Sequence, residues 1–253
     1  VDLQLTGSRA IVTGGTKGIG RAIVDLLAAE GASVAFCART EKDVAATADE
    51  LRATGATVTG KSLDVADNAA LRSWVDEVCT EFGGLDIVVS NVSALAIGDD
   101  LDTWQKTLQT DILGTVGLIS AAMPELEKSD AASIVTIASV SGREIDFAAG
   151  SYGAAKAAII HYTQGLAYQL AARNIRANSV SPGNTYFDGG VWQHIETTNP
   201  ELFGQALALN PTGRMAQPAE IARAVVFLAS PAASFITGSN LVVDGALTRG
   251  VQF

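Results

Sequence analysis

The chain reads as an α/β protein: one doubly wound parallel sheet of about seven strands, covered by helices on both faces. Three observations predict this. Near-continuous apolar runs of strand length recur along the chain, stretches of helical period separate them, and a glycine-rich turn joins the first run to the first helical stretch.

The first run is RAIVT (9–13), followed by the turn and the helical segment GIGRAIVDLLAAEG. SVAFCA (33–38) leads into the helical EKDVAATADELRATG, and TVTGKSLDV (57–65) into AALRSWVDEVCTEFG. Each of these helical segments closes at a glycine, where a left-handed residue can end a helix. DIVVSN (86–91), SIVTIAS (133–139), IRANSVS (175–181) and NLVVD (240–244) supply the remaining strands. The runs lack polar alternation, as strands buried on both faces do. No repeat or Pro/Ser-rich linker interrupts the series, so residues 1–253 form one domain. The least regular stretch, roughly 183–215, is expected to be a substrate loop or lid.

Composition narrows the partners. A formal net charge of -10 is the wrong sign for a non-specific binder of nucleic acid or of an anionic membrane. Cys37 and Cys79 stand far apart, and His161 and His194 add no ligand cluster, so neither a metal site nor a disulfide framework is expected. The amino terminus shows no basic and apolar leader pattern, and no apolar stretch is long enough to span a bilayer. These features predict a cytoplasmic protein.

Chemistry concentrates in two places. In 13-TGGTKGIG-20, Gly14, Gly18 and Gly20 let the backbone approach a pyrophosphate, which would meet the free N–H groups at the start of the helix. Thr16, Lys17 and Ile19 belong to the same cradle. The second strand ends in 37-CART-40, where folds of this type place a carboxylate for a ribose 2′-hydroxyl. Here Arg39 stands instead, with Lys17 nearby, and two cations favour a 2′-phosphate. The cofactor is therefore expected to be NADP(H). The second place is 150-GSYGAAKAAIIHY-162, where Tyr152 and Lys156 fall on one helix face. Alone, that pair reads as a surface tyrosine beside a snorkelling lysine.

TGGTKGIG, LDV at 63–65, Ser139, Tyr152-x-x-x-Lys156 and 178-NSVSPG-183, in this order and spacing, resemble the classical short-chain dehydrogenase/reductase family over essentially the whole chain. The resemblance implies a Rossmann-type domain, usually a homotetramer or homodimer, that transfers hydride between nicotinamide and a carbonyl or alcohol. It implies that Tyr152 is the proton donor in reduction and the base in oxidation. An ammonium on Lys156 would favour the phenolate and also hold the nicotinamide ribose, and Ser139 would polarise the substrate oxygen, with Ser141 as its alternative. Asp64 and Val65 match positions at the adenine ring, Asn91 a position at the ribose, and Pro182, Gly183 and Thr185 the segment near the pyrophosphate.

Three departures stand out. The family's N-N-A-G stretch reads 90-SNVS-93, Phe187 stands where a threonine is usual, and Asp111 replaces an asparagine of the fourth helix. Asp111 is expected to relay protons to Lys156. Leu95, Val140, Arg143, Ile145, Phe187, Val191 and Trp192 are expected to wall a pocket for a medium-sized apolar carbonyl compound. The leading expectation is an NADP(H)-dependent carbonyl reductase or alcohol dehydrogenase; the alternative is a cofactor-binding regulatory protein. A sugar-nucleotide epimerase would need a larger carboxyl-terminal region than follows the sixth strand. The helix 151–172, rich in small residues, is expected to pack in a two-fold homo-oligomer interface, with the VVDGALTRGVQF tail at a second contact.

Overall fold

A computed structural model describes residues 1–251. Seven strands run β1 (Arg9–Thr13), β2 (Ser33–Ala38), β3 (Val58–Ser62), β4 (Ile87–Ser90), β5 (Ser133–Ile137), β6 (Arg176–Pro182) and β7 (Asn240–Val243). They form one sheet in the order β3-β2-β1-β4-β5-β6-β7, and every pairing is parallel. All seven expected strands are present. The third is shorter than the apolar run suggests, because after Ser62 the chain turns through Asp64, whose Oδ1 accepts the Ala66 amide.

The alternation within each strand divides two cores. On one face Ala10 and Val12 of β1, with Val34 and Phe36 of β2, meet α1 (Gly18–Ala29), α2 (Glu41–Ala53) and α9 (Pro218–Ala229). On the other face Ile11, Ala35 and Cys37 meet α3 (Asn68–Phe82), α5 (Gly114–Leu126) and α6 (Ser151–Leu170). Phe36 and Ile221 are fully buried in the first core. Each such side chain contributes about 1.5–3 kcal/mol of transfer free energy. Burial in the second core pushes the Cys37 thiol up to about 12, so it stays a neutral packing group.

Helix ends follow local chemistry. Asp67 caps α3 by accepting the amides of Ala69 and Ala70, and Gly83 ends that helix in the left-handed conformation. Between α4 (Leu101–Thr107) and α5 the chain widens into a π-helical turn, Leu108–Leu113, which contains Asp111. The stretch 183–215 is more ordered than its composition suggests. It folds α7 (Val191–Thr198) and α8 (Pro200–Ala208), with Asn199 capping α8 through the Leu202 amide. No helix among the described residues is long and apolar enough to cross a membrane.

Candidate active site

The strand order reverses between β1 and β4, which opens a crevice at their carboxyl ends. Thr13 ties the two strands there, its Oγ1 accepting the Asn91 amide at 3.0 Å. The Asn91 side chain turns toward the glycine loop and donates to Thr13 O at 3.0 Å. Gly20 is forced by packing, since a Cβ there would lie 2.1 Å from Gly14 O. At Gly18 a Cβ would meet the Phe187 ring at 2.5 Å. Phe187 thus lays its ring on the glycine loop, where the family pattern places a threonine. Lys17, the residue before α1, makes no side-chain cap, so the first-turn N–H groups remain free for an anion. This cradle fits a dinucleotide pyrophosphate.

One cavity of about 1280 Å³ joins the glycine loop to Tyr152. Gly14, Thr16, Lys17, Ile19 and Gly20 line it, as do Arg39, Asp64, Val65, Asn91, Pro182, Gly183 and Thr185. Gly18 and Asp111 do not reach its wall. Arg39 is exposed, and among the described residues no carboxylate pairs with it. Lys17 is different: its Nζ lies 2.9 Å from Asp43 Oδ2, so the expected pair of free cations reduces to Arg39. Thr185 donates its hydroxyl to Gly183 O at 3.1 Å, bracing the loop after β6.

Ser139, Tyr152 and Lys156 share the inner end of this cavity. Lys156 is only 2% exposed. Its Nζ donates to Ile137 O at 3.0 Å and lies 5.6 Å from the centroid of the Tyr152 ring. Asp111 is not a surface residue of its helix; it is fully buried, with Oδ2 3.3 Å from Lys156 Nζ. That contact has the reach of an ion pair but not the alignment of a hydrogen bond, and Oδ2 accepts none. Oδ1 accepts the Ala94 amide at 2.8 Å. The π-helical turn carries Asp111 inward, and the Thr115 hydroxyl donates to its carbonyl at 2.6 Å.

The walls are partly as expected. Leu95, Val140, Phe187, Val191 and Trp192 line the cavity. Arg143 and Ile145 do not: both are exposed, because the turn after Val140 points them outward. Phe147 takes their place, edge-on to Trp192 with ring centroids 5.6 Å apart. Sequence reading also missed Asp146, which accepts the Ser141 hydroxyl at 2.6 Å. Its only sequence signal is a carboxylate lying between Ser139 and Tyr152. A second cavity of about 810 Å³, between Tyr186 and Arg223, lies apart from Tyr152 and Lys156.

Sheet order, switch-point crevice and glycine cradle define a single-domain Rossmann-type oxidoreductase. Comparison with known proteins makes the class specific. The family described as enoyl-(acyl carrier protein) reductase matches residues 14–248, and the chain belongs to the short-chain dehydrogenase/reductase family, which uses nicotinamide cofactors. Isoepoxydon dehydrogenase patN of Penicillium expansum is 36% identical over 255 residues, covering 98% of each chain. The 3-oxoacyl-[acyl-carrier-protein] reductase FabG of Escherichia coli (strain K12) is 35% identical over 251 residues, covering 97% of this chain and 99% of FabG. An NADPH-bound short chain oxidoreductase from Pseudomonas aeruginosa PAO1, described as containing an atypical catalytic center, superposes with a TM-score of 0.90 at 29% identity. That match covers 97% of this chain and 99% of the other.

Proposed function

We propose that the protein is an NADP(H)-dependent oxidoreductase acting between a ketone and a secondary alcohol of small or medium size. The observation that carries this reading is Lys156, buried under the Tyr152 ring in the cavity that also holds Ser139 and the glycine loop. A buried ammonium beside a phenol has a chemical use: it stabilises the phenolate that forms when Tyr152 gives up its proton. The bound nicotinamide supplies or accepts the hydride.

In reduction, the substrate oxygen gathers negative charge as hydride arrives. Tyr152 donates its hydroxyl proton to that oxygen, and the Ser139 hydroxyl turns from Ser141 Oγ, to which it donates at 3.3 Å, to donate to the substrate oxygen instead. Lys156 holds the charge left on the phenolate, and Asp111 holds Lys156 in place and takes part in returning the proton. Phe187, Trp192 and Phe147 present apolar surface that keeps water from the reacting carbon. The segment 183–215 acts as the lid over this pocket.

NADP(H) is favoured because Arg39 is unpaired at the end of β2, where a discriminating carboxylate is absent. The NADPH-bound relative agrees with that preference. The relatives named for isoepoxydon and for 3-oxoacyl groups support a substrate among carbonyl compounds or their alcohols. The protein works in the cytoplasm as a two-fold homo-oligomer. Its interface includes the exposed side of α6, where Ala154, Ala157, Ala158 and His161 lead to Tyr168. The tail beyond β7 joins a second contact; its last residues, Gln252 and Phe253, lie outside the described residues. Light scattering should give a multiple of the chain mass at micromolar concentration; a monomer mass would count against the interface.

The deciding experiment is a screen of ketones, 3-oxoacyl thioesters, sugars and secondary alcohols with NADPH and NADP+, followed by nicotinamide absorbance. Turnover of a ketone or secondary alcohol supports the reading. Tight NADPH binding with no turnover across the whole screen would favour the cofactor-binding regulatory alternative.

A further inference from the structure

Asp146 has no part in the chemistry above, yet it stands beside it. It is half-buried and lines the same cavity as Tyr152. Its oxygens are held from two sides: Oδ1 accepts the Ala148 amide at 2.8 Å, and Oδ2 accepts the Ser141 hydroxyl at 2.6 Å. Ser141 in turn accepts the Ser139 hydroxyl at 3.3 Å. The carboxylate is therefore rigid and two hydrogen bonds from the side chain that holds the substrate oxygen. With one donor on each oxygen, lone pairs remain on both.

No cation offsets this charge. Among the described residues no lysine or arginine lies within ion-pair distance of Asp146. Of the cations lining the cavity, Lys156 faces Asp111 and Lys17 faces Asp43, while Arg39 stands at the far, adenine end and Lys106 is exposed. The neighbouring wall, Phe147, Val191 and Trp192, is apolar. A fixed, uncompensated carboxylate in such a wall favours a group that donates a hydrogen bond and penalises an anion.

We propose that Asp146 is a specificity-determining residue that selects ketones bearing a hydroxyl one or two carbons from the carbonyl. The hydroxyl donates to Asp146 while Ser139 and Tyr152 hold the carbonyl oxygen. This inference rests on the oxidoreductase reading and names its substrate class. A substrate carrying a carboxylate at that place meets like charge. An all-carbon analogue leaves Asp146 desolvated with no donor beyond Ser141 and the Ala148 amide, and sites built to bond a substrate hydroxyl reject such analogues steeply.

Three phenyl ketones of similar size test it with NADPH: 2-hydroxyacetophenone, propiophenone and benzoylacetate. The wild-type protein is expected to show kcat/KM for the hydroxyketone at least about tenfold above that for propiophenone, with benzoylacetate poorest. In Asp146→Asn the first ratio should fall to within roughly twofold, and benzoylacetate should gain on propiophenone. A wild-type ratio near one, or a ratio unchanged in Asp146→Asn, overturns the proposal. So does an equal loss on all three ketones, which would mean that Asp146 only braces Ser141 and Ser139. Quenching of tryptophan fluorescence by the same ketones reads the preference as binding, without turnover. A preference present in binding but with no turnover of any ketone would refute the reductase reading and leave the Asp146 assignment standing.

Discussion

Two acid–base pairs sit at opposite ends of the same sheet and are built on different plans. At the amino end, Arg9 opens β1 and Asp86 precedes β4. Asp86 Oδ2 accepts the Arg9 amide at 2.9 Å and Nε at 2.8 Å, while Oδ1 accepts Nη2 at 2.7 Å and the Ser129 hydroxyl at 2.6 Å. At the carboxyl end, the Asp111 carboxylate accepts one hydrogen bond and Lys156 Nζ donates one, and the facing atoms at 3.3 Å are unaligned. The first pair is saturated and joins two strands. The second is buried more deeply and left with unused donors and acceptors, an arrangement that costs stability unless something uses them. Parallel α/β sheets bind ligands at their carboxyl ends, and it is there that bonding capacity has been kept in reserve.

The largest expected effect lies at the carboxyl end. Tyr152→Phe should lower kcat by about 10²–10⁴ with NADPH affinity nearly intact, since only the proton donor is lost. Lys156→Ala should weaken both turnover and cofactor binding, measured by steady-state kinetics and fluorescence titration. Near-normal turnover in Tyr152→Phe would break the contrast between the two ends, because another residue would then supply the proton.

Next in size is the cofactor preference. Ala38→Asp with Arg39→Leu should weaken NADPH binding about 10- to 100-fold and improve NADH binding, as expected for losing a charge-assisted contact of about 1.5–3 kcal/mol. Wild-type protein that binds NADH as tightly as NADPH would remove the basis for this variant. The Lys17–Asp43 pair should make Lys17→Ala much milder than the change at Arg39.

The amino end should answer in stability and not in chemistry. Asp86→Asn should cost about 1–3 kcal/mol, seen as a lower Tm, with kcat unaltered. Burial opposes ionisation of Asp86, but hydrogen bonds from Arg9 and Ser129 outweigh it and hold the carboxyl below the usual carboxylate range. Its contribution is therefore complete above about pH 4, the ordinary aspartate value, and is lost as pH falls toward the depressed folded value. Acid titration of Tm should show that loss in the wild type and a smaller one in Asp86→Asn.

The finest test concerns Asp111. Its Oδ2 faces Lys156 Nζ at 3.3 Å, so Asp111→Asn, which keeps the shape, should retain most of the turnover. Asp111→Ala should instead lower the rate at every pH, because the groups around Lys156 lose their partner. Undiminished rates in both variants would leave the second pair without a part in turnover, as at the amino end.

The layered fold was legible because its signals are local. RAIVT and SVAFCA announce strands buried on both faces, Gly83 ends its helix, and the four-residue spacing of Tyr152 and Lys156 is itself a helix face. The glycine loop was equally plain, since Gly20 has no room for a side chain and that demand appears in the sequence as a glycine. The helices within 183–215 leave little trace in the sequence because α7 and α8 are short and stand among glycines and a proline, which mask their period.

What the sequence by itself determined about this protein is therefore the sheet, the glycine cradle and the helical spacing that sets Tyr152 and Lys156 on one face. Tertiary structure alone decided how the charges are paired and which residues face the cavity. Lys17 meets Asp43 across the crevice, Asp111 turns inward against Lys156, Phe187 lies on Gly18, and Asp146 reaches Ser141 while Arg143 points away. The physical reason is range. Backbone period and glycine sterics act within a few residues and leave a pattern in sequence, whereas a charge finds its partner, and a side chain its exposure, only after distant elements have packed.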